Sequence, residues 1–274
     1  MAYEIAELPM GVTNYELGGQ GPLVVLVHGI STPSMAYDYI QPLLWNEGFS
    51  TLRYDLYGRG GSEAKPSFRY DIAFYTQQLH DLLAHLSIGG PQHFVGYSMG
   101  GGIIACFADT YPNLIKSLTF VASSGFLTGA GDVLPLFKTK TIGPFLFEHF
   151  GAAALRRAVI KDGKENNVAP EFYLRQAEAT RKPGYMQAIT KSAQVGPLVE
   201  LEETHKRIAL YAFPTLAIWA VDDRVIKIDS KARFDAVSHP DVISEVVAGA
   251  GHAIAYTHHD SITPRIAQFL KTET

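Results

Sequence analysis

The sequence predicts an α/β fold, a mostly parallel sheet with helices on both faces, and two observations carry that reading. Short β-branched apolar runs alternate with helix-length amphipathic segments, the order expected of repeated β-α units whose helices cover both faces of a sheet. The chain also has the size for it: 274 residues, 47% of them hydrophobic, suffice for one large core, since a chain of this length buries about three quarters of its unfolded surface.

Taken in order, Tyr3 to Leu8 and Thr13 to Leu17 form a candidate antiparallel hairpin at one edge of the sheet. Leu23 to His28 is the third strand and Ser34 to Glu47 the helix after it; Thr51 to Asp55 and Asp71 to Leu86 repeat the pair. His93 to Tyr97 leads into a helix over Met99 to Tyr111, and Ser117 to Ala122 follows as the sixth strand. Thr215 to Ala220 and Ile243 to Val247 complete an eight-stranded sheet, closed by a helix over Ile262 to Lys271. The predicted helices have apolar residues at helical spacing and flanking Pro, Gly or Asp.

One interval breaks the rhythm. From Gly125 to about Phe213 there are no strand-like runs, only helical segments punctuated by glycines and by Pro144, Pro170, Pro183 and Pro197. The expected organisation is a core made of residues 1–124 and 214–274, with a helical insertion over 125–213. Phe137, Phe145, Phe147 and Phe150 crowd into a short span of it, as a small core of its own or as the wall of an apolar cavity.

Composition removes several partner classes. With 23 Lys+Arg against 27 Asp+Glu the formal net charge is -4, and no run of five like charges occurs, so neither nucleic acid nor an anionic membrane is an expected partner. Apolar runs reach five or six residues where a spanning helix needs about 20. The single cysteine, Cys106, excludes an internal disulfide and any Cys-built zinc or iron–sulfur site within one chain, and it reads as core in an apolar helix. No metal or cofactor is expected. The first residues place acids where a secretory signal needs a basic segment, which points to a cytoplasmic location, as monomer or homodimer.

The chemistry concentrates at strand ends. Gly96-Tyr97-Ser98-Met99-Gly100 follows a strand and opens a helix. Turning directly from strand to helix at Ser98 strains its backbone and crowds the residues two before and two after, so both must be small. The Ser98 hydroxyl then sits at a helix N-terminus, where orphan N–H groups favour developing negative charge. A serine hydroxyl needs a positioned base, and the base needs an acid to fix its tautomer. Asp222 and Asp223 follow the strand ending at Ala220, and His252 follows the strand ending near Val247, both at the sheet edge that carries Ser98. His258 and His259 stay open as bases, and the acid stays open between Asp222 and Asp223; His80 and His85 read as solvated. The residue after Ser98, Met99, supplies one backbone N–H for an oxyanion, and the turn Val27-His28-Gly29-Ile30-Ser31 offers a second at Ile30, with His28 as an orienting residue.

On these residues the sequence resembles the α/β-hydrolase superfamily over nearly its whole length. His28-Gly29 looks like the family's oxyanion turn, Asp55-Leu56-Tyr57-Gly58-Arg59-Gly60-Gly61-Ser62 is similar to its loop after the fourth strand, and Gly96 to Gly100 looks like its nucleophile elbow. The resemblance implies Ser98 as nucleophile, His252 as general base and acid, Asp223 as orienting carboxylate, and Ile30 with Met99 as oxyanion donors. Asp223 is preferred because it precedes a polar residue and an aliphatic pair, Arg224-Val225-Ile226, although the family's usual glycine before the acid is Ala220 here. The insertion becomes a cap over the site, and His28, Gly29 and Tyr97, with Phe137 and Phe145 of the cap, are the expected substrate contacts. Small capped carboxylesterases and monoacylglycerol-lipase-like enzymes are the most similar members, which implies hydrolysis of a small-molecule ester. Hydrolysis of a carbon–carbon bond in a β-diketone-type substrate competes, with Arg156, Arg157, Arg175 and Arg181 available for an acidic group. A ligand receptor on a hydrolase scaffold is the alternative of another class.

Overall fold

The computed structural model describes residues 3–126, 142–195 and 200–273. Eight strands form one sheet: β1 (Glu4–Leu8), β2 (Gly11–Gly19), β3 (Leu23–Val27), β4 (Ser50–Tyr54), β5 (Gln92–Tyr97), β6 (Ile115–Val121), β7 (Thr215–Ala220) and β8 (Ile243–Val247). Their spatial order is β1-β2-β4-β3-β5-β6-β7-β8. The β1–β2 and β2–β4 pairs are antiparallel and all others parallel, so the hairpin lies at the predicted edge. The central strands are buried along nearly their whole length, as in β3 (Leu-Val-Val-Leu-Val) and β7 (Thr-Leu-Ala-Ile-Trp-Ala), because helices cover both of their faces.

Described helices are α1 (Ile40–Asn46), α2 (Ile72–His85), α3 (Met99–Thr110), α4 (Ile142–Glu165), α5 (Pro170–Ala179), α6 (Tyr185–Val195), α7 (Glu202–Ala209), α8 (Asp229–Val237), α9 (Ile254–Thr257) and α10 (His259–Thr272). One core layer joins the sheet to α2, α3 and α8 through residues such as Leu79, Ile104 and Phe234; the other joins it to α1 and α10 through Leu44, Ile266 and Leu270. Local signals explain several boundaries. Asp71 caps α2 by accepting the Phe74 N–H at 2.8 Å, and Pro170 opens α5, where its missing N–H costs nothing. The helix predicted over Ser34 to Glu47 is divided into a 3₁₀ turn, Ser34–Tyr37, and α1. Pro42 has no N–H for the Asp38 carbonyl, so one continuous helix cannot form there. Sequence reasoning missed α8, whose buried side is only Ser230 and Phe234 and therefore shows little apolar period.

Between β6 and β7 the described elements are the helices α4, α5, α6 and α7. These helices do not behave as one unit. Tyr185, Met186 and Ile189 of α6 form a small cluster with Phe147 and Leu155 of α4, whereas Ile208 of α7 joins the main core. Phe147 is half-buried against that cluster, Phe145 and Phe150 are exposed, and Phe137 lies outside the described residues. Cys106 is half-buried, and burial pushes its thiol up to about 11. Of the two histidines read as solvated, His85 is exposed, while His80 is half-buried and stacked on Tyr111 with centroids 4.4 Å apart.

Three other histidines are buried, and burial holds each in its neutral form: His28 and His93 are lowered to about 4 and His205 to about 3. In the unfolded chain each takes up a proton near 6.5, which the folded protein does not match until far lower pH. Their contribution to stability is therefore complete above about pH 6.5 and is lost as pH falls toward 4, with a slope approaching roughly 4 kcal/mol per pH unit if all three act. Urea unfolding at pH 7, 6 and 5 is expected to show this loss, and His205→Phe to reduce the slope by about one proton. An unchanged slope in that variant would show that His205 is not a source of the acid sensitivity.

Candidate active site

Ser98 alone makes the reversal from β5 to α3. Its backbone is at φ 53°, ψ -118°, a conformation unfavourable for any residue with a Cβ. Neighbouring backbone holds it there: the Ser98 N–H donates to the Val121 carbonyl at 2.9 Å, and its carbonyl accepts from the Gly101 and Ser124 N–H groups, each at 3.0 Å. The flanking glycines are required by close approach. A Cβ on Gly96 would stand 2.6 Å from the Gly100 carbonyl oxygen, and a Cβ on Gly100 would stand 1.9 Å from the Val27 oxygen. The crowding at Gly100 thus comes chiefly from the end of β3, which sequence spacing did not reveal.

Ser98 Oγ lies 2.9 Å from His252 Nε2, and His252 Nδ1 lies 2.8 Å from Asp223 Oδ2. The Asp223 side chain is unexposed and that of His252 22% exposed, so the carboxylate is shielded while the imidazole reaches the opening. Asp223 Oδ1 accepts the N–H groups of Val225 and Ile226 at 2.7 and 2.8 Å, which fixes the carboxylate from within its own turn. With the acid accepting at Nδ1–H, Nε2 is left to accept from the Ser98 hydroxyl. A hydroxyl, imidazole and carboxylate in one such line can move a proton from oxygen to nitrogen as the oxygen attacks an electrophile.

The other candidates lie elsewhere. Asp222 is exposed. His258 Nδ1 meets the Thr257 hydroxyl, and His259 stacks on Tyr39 and pairs with Asp260. Tyr97, expected against substrate, is buried, and its hydroxyl donates to the His252 carbonyl at 2.7 Å, so it steadies the histidine loop from inside the fold. Phe145, expected in the pocket wall, is 56% exposed and stacks on His149.

The turn after β3 lies beside the serine: a Cβ on Gly29 would be 3.2 Å from Ser98 Cβ. His28 is buried with Nδ1 2.7 Å from the Gly29 carbonyl, and its Nε2 accepts the Leu56 N–H at 2.9 Å, so it ties the turn after β3 to the turn after β4. Among the described residues nothing accepts from the Ile30 N–H, and no side chain caps the start of α3 at Met99. Asp55 anchors the next loop: Oδ1 accepts from the Ser34 N–H and hydroxyl, and Oδ2 from Asn14 and the Gly61 N–H. Among the described residues no group of three or more His, Cys, Asp or Glu is arranged to hold a metal ion, and no helix is long and apolar enough to cross a membrane.

The fold and this strand-end site define a class, the α/β hydrolases. A family model for the alpha/beta hydrolase fold matches residues 22–259, and the chain belongs to that family. An uncharacterised protein of Mycobacterium tuberculosis is 34% identical over 111 residues, a match covering 40% of this chain and 32% of that protein, so the chain spans about a third of the length of this relative. Lipase 3 of Moraxella sp. (strain TA144) is 29% identical over 223 residues, covering 76% of this chain and 64% of the lipase. Among solved structures, a bromoperoxidase from Bacillus anthracis is similar with a TM-score of 0.84 at 22% identity, covering 98% of this chain and 100% of its own. A meta-cleavage product hydrolase from Pseudomonas fluorescens IP01 is similar with a TM-score of 0.78 at 18% identity, covering 99% and 98%. At these identities the structural likeness is one of fold.

Proposed function

We propose that the chain is a serine hydrolase that cleaves carboxylic esters of small to medium, apolar substrates through an acyl-enzyme on Ser98. The hydrogen-bonded line Ser98–His252–Asp223, at an elbow beside the Ile30 N–H, for which the described residues offer no acceptor, is the observation that carries this reading. Ser98 Oγ attacks the ester carbonyl while His252 Nε2 takes its proton, and the carbonyl oxygen becomes an oxyanion held by the Ile30 and Met99 N–H groups. His252 then gives that proton to the leaving alcohol. Water, deprotonated by the same imidazole, attacks the acyl-enzyme, and the acid leaves as Ser98 regains its proton. In this reading residues 125–213 act as a cap, and no metal or cofactor takes part.

The carbon–carbon hydrolase reading asks for cations where an acidic substrate would lie. Arg156, Arg157 and Arg181 instead line a cleft of about 280 Å³ with Ile160, Leu174 and Ala177, between α4 and α5, and Arg175 pairs with Asp38. The test is steady-state hydrolysis of p-nitrophenyl esters from acetyl to palmitoyl. Multiple turnovers, with kcat/KM peaking at one acyl length, are expected. No turnover across the series would overturn the ester assignment and favour the carbon–carbon hydrolase, or a receptor that binds without turning over.

A further inference from the structure

Arg59, in the loop after β4, has no exposed surface, and among the described residues no carboxylate lies within ion-pair distance of it. A buried guanidinium without a counter-ion is expensive unless its donors are well placed. Here four of its five N–H groups meet neutral oxygens. Nε donates to the Ile30 carbonyl at 3.0 Å; Nη1 donates to the Tyr57 carbonyl at 3.1 Å and the Tyr75 hydroxyl at 2.5 Å; Nη2 donates to the Ser192 hydroxyl of α6 at 2.9 Å. The Tyr75 and Ser192 hydroxyls are themselves 2.8 Å apart, which closes the network.

The Ile30 carbonyl is one of three in succession that are tied down. Gly29 O meets His28 Nδ1, Ile30 O accepts from Arg59, and Ser31 O accepts from the Tyr185 hydroxyl at the start of α6. The Thr32 hydroxyl then accepts from Gln176 of α5 at 2.7 Å. In a trans peptide the N–H points opposite to the C=O. Holding the Gly29 oxygen toward His28 directs the Ile30 N–H the other way, and holding the Ile30 oxygen stops the residue from rotating that N–H out of line. The Ile30 side chain packs on the cluster of Tyr185, Met186 and Ile189. The turn is therefore gripped from α5 and α6 by hydrogen bonds and by packing.

We propose that Arg59 is a positioning residue for the oxyanion site: it holds the Ile30 peptide in register with Ser98 and is tied to Ser192, so that the helices between β6 and β7 set the geometry in which the substrate carbonyl is activated. This rests on the serine-hydrolase reading above. Displacing an oxyanion donor weakens the transition state while leaving ground-state binding alone, and deleting one such donor costs about 10²–10³ in kcat. Misaligning it costs less.

The test compares wild type, Ser98→Ala, Ser192→Ala and Arg59→Lys on the best p-nitrophenyl ester. It adds the Kd of a trifluoromethyl ketone and of the methyl ketone with the same chain. The first is read as a hemiketal, in which Ser98 Oγ bonds to the carbonyl carbon, the proton passes to His252 and the oxygen becomes the oxyanion; the second is read as an unreacted ligand. Ser192→Ala, which deletes one hydroxyl, is expected to lower kcat by roughly fivefold to tenfold, and Arg59→Lys by roughly twentyfold to fiftyfold, below the cost of deleting the donor. Affinity for the trifluoromethyl ketone should fall by the same factors, with KM and the methyl-ketone Kd unchanged within about twofold. If Ser192→Ala leaves kcat unchanged, or weakens both ketones equally, Arg59 is only packing and the inference fails, even should Arg59→Lys not fold. A wild type without turnover that Ser98→Ala removes defeats the serine-hydrolase reading, and this inference with it.

Discussion

Replacing Ser98 by alanine is expected to lower kcat on ester substrates by roughly four to six orders of magnitude while leaving KM within a few-fold. Alanine retains the Cβ, so the substitution removes the attacking oxygen and changes little else. Both the strained backbone at φ 53° and the hydrogen bonds that impose it remain. The thermal midpoint should therefore stay within about a degree or two of wild type, and the residual rate should reflect the Ile30 and Met99 N–H groups and substrate binding alone. Glycine at the same position separates chemistry from strain. It abolishes turnover equally, but it accepts the positive φ without penalty, and a gain of about 1 kcal/mol would raise the midpoint by roughly 2 °C. Steady-state kinetics with scanning calorimetry on the two variants measures both effects. Alanine activity within a hundredfold of wild type would remove Ser98 from the chemistry.

Asp223→Asn is the second large effect, with kcat expected to fall by roughly three to four orders of magnitude. Asparagine can still accept the Val225 and Ile226 N–H groups through its oxygen. That choice turns its amide NH₂ toward His252 Nδ1, where a donor is wrong. The imidazole then answers by carrying its proton on Nε2, and it can no longer accept from Ser98. Asp222→Asn is the matched control: the side chain is exposed, and kcat should stay within about twofold. The same ester assay decides between the two adjacent acids, and a reversed order of effects would move the orienting role to Asp222.

Much of this was legible in the chain because it is local. Strand and helix alternate with a period set by backbone geometry, so the eight strands and their edge hairpin could be read before any contact was known. The elbow is local too, since one residue between β5 and α3 must adopt a positive φ and its neighbours must be glycine. The preference for Asp223 over Asp222 came from the family resemblance; in the structure the Asp223 carboxylate is held locally, by the N–H groups of Val225 and Ile226.

What only the tertiary structure decided depends on side chains far apart in sequence. The family resemblance implied Tyr97 and Phe145 as substrate contacts, yet one hydroxyl is bound to the His252 carbonyl 155 residues away and the other ring is largely exposed. Arg59 looked like one more residue of a glycine-rich loop; its partner Ser192 is 133 positions further on. A periodic pattern records which face of an element is buried, and a motif records what a tight turn will tolerate. Neither records which distant oxygen will satisfy a buried guanidinium or phenol, because that is fixed by how helices dock across the sheet edge. The sequence by itself determined the sheet, the elbow and the order of serine, acid and histidine. Docking of α5 and α6 onto the turns after β3 and β4 decided how Ile30 is held, since every buried donor must find an acceptor and the acceptors within reach are the carbonyls of that turn.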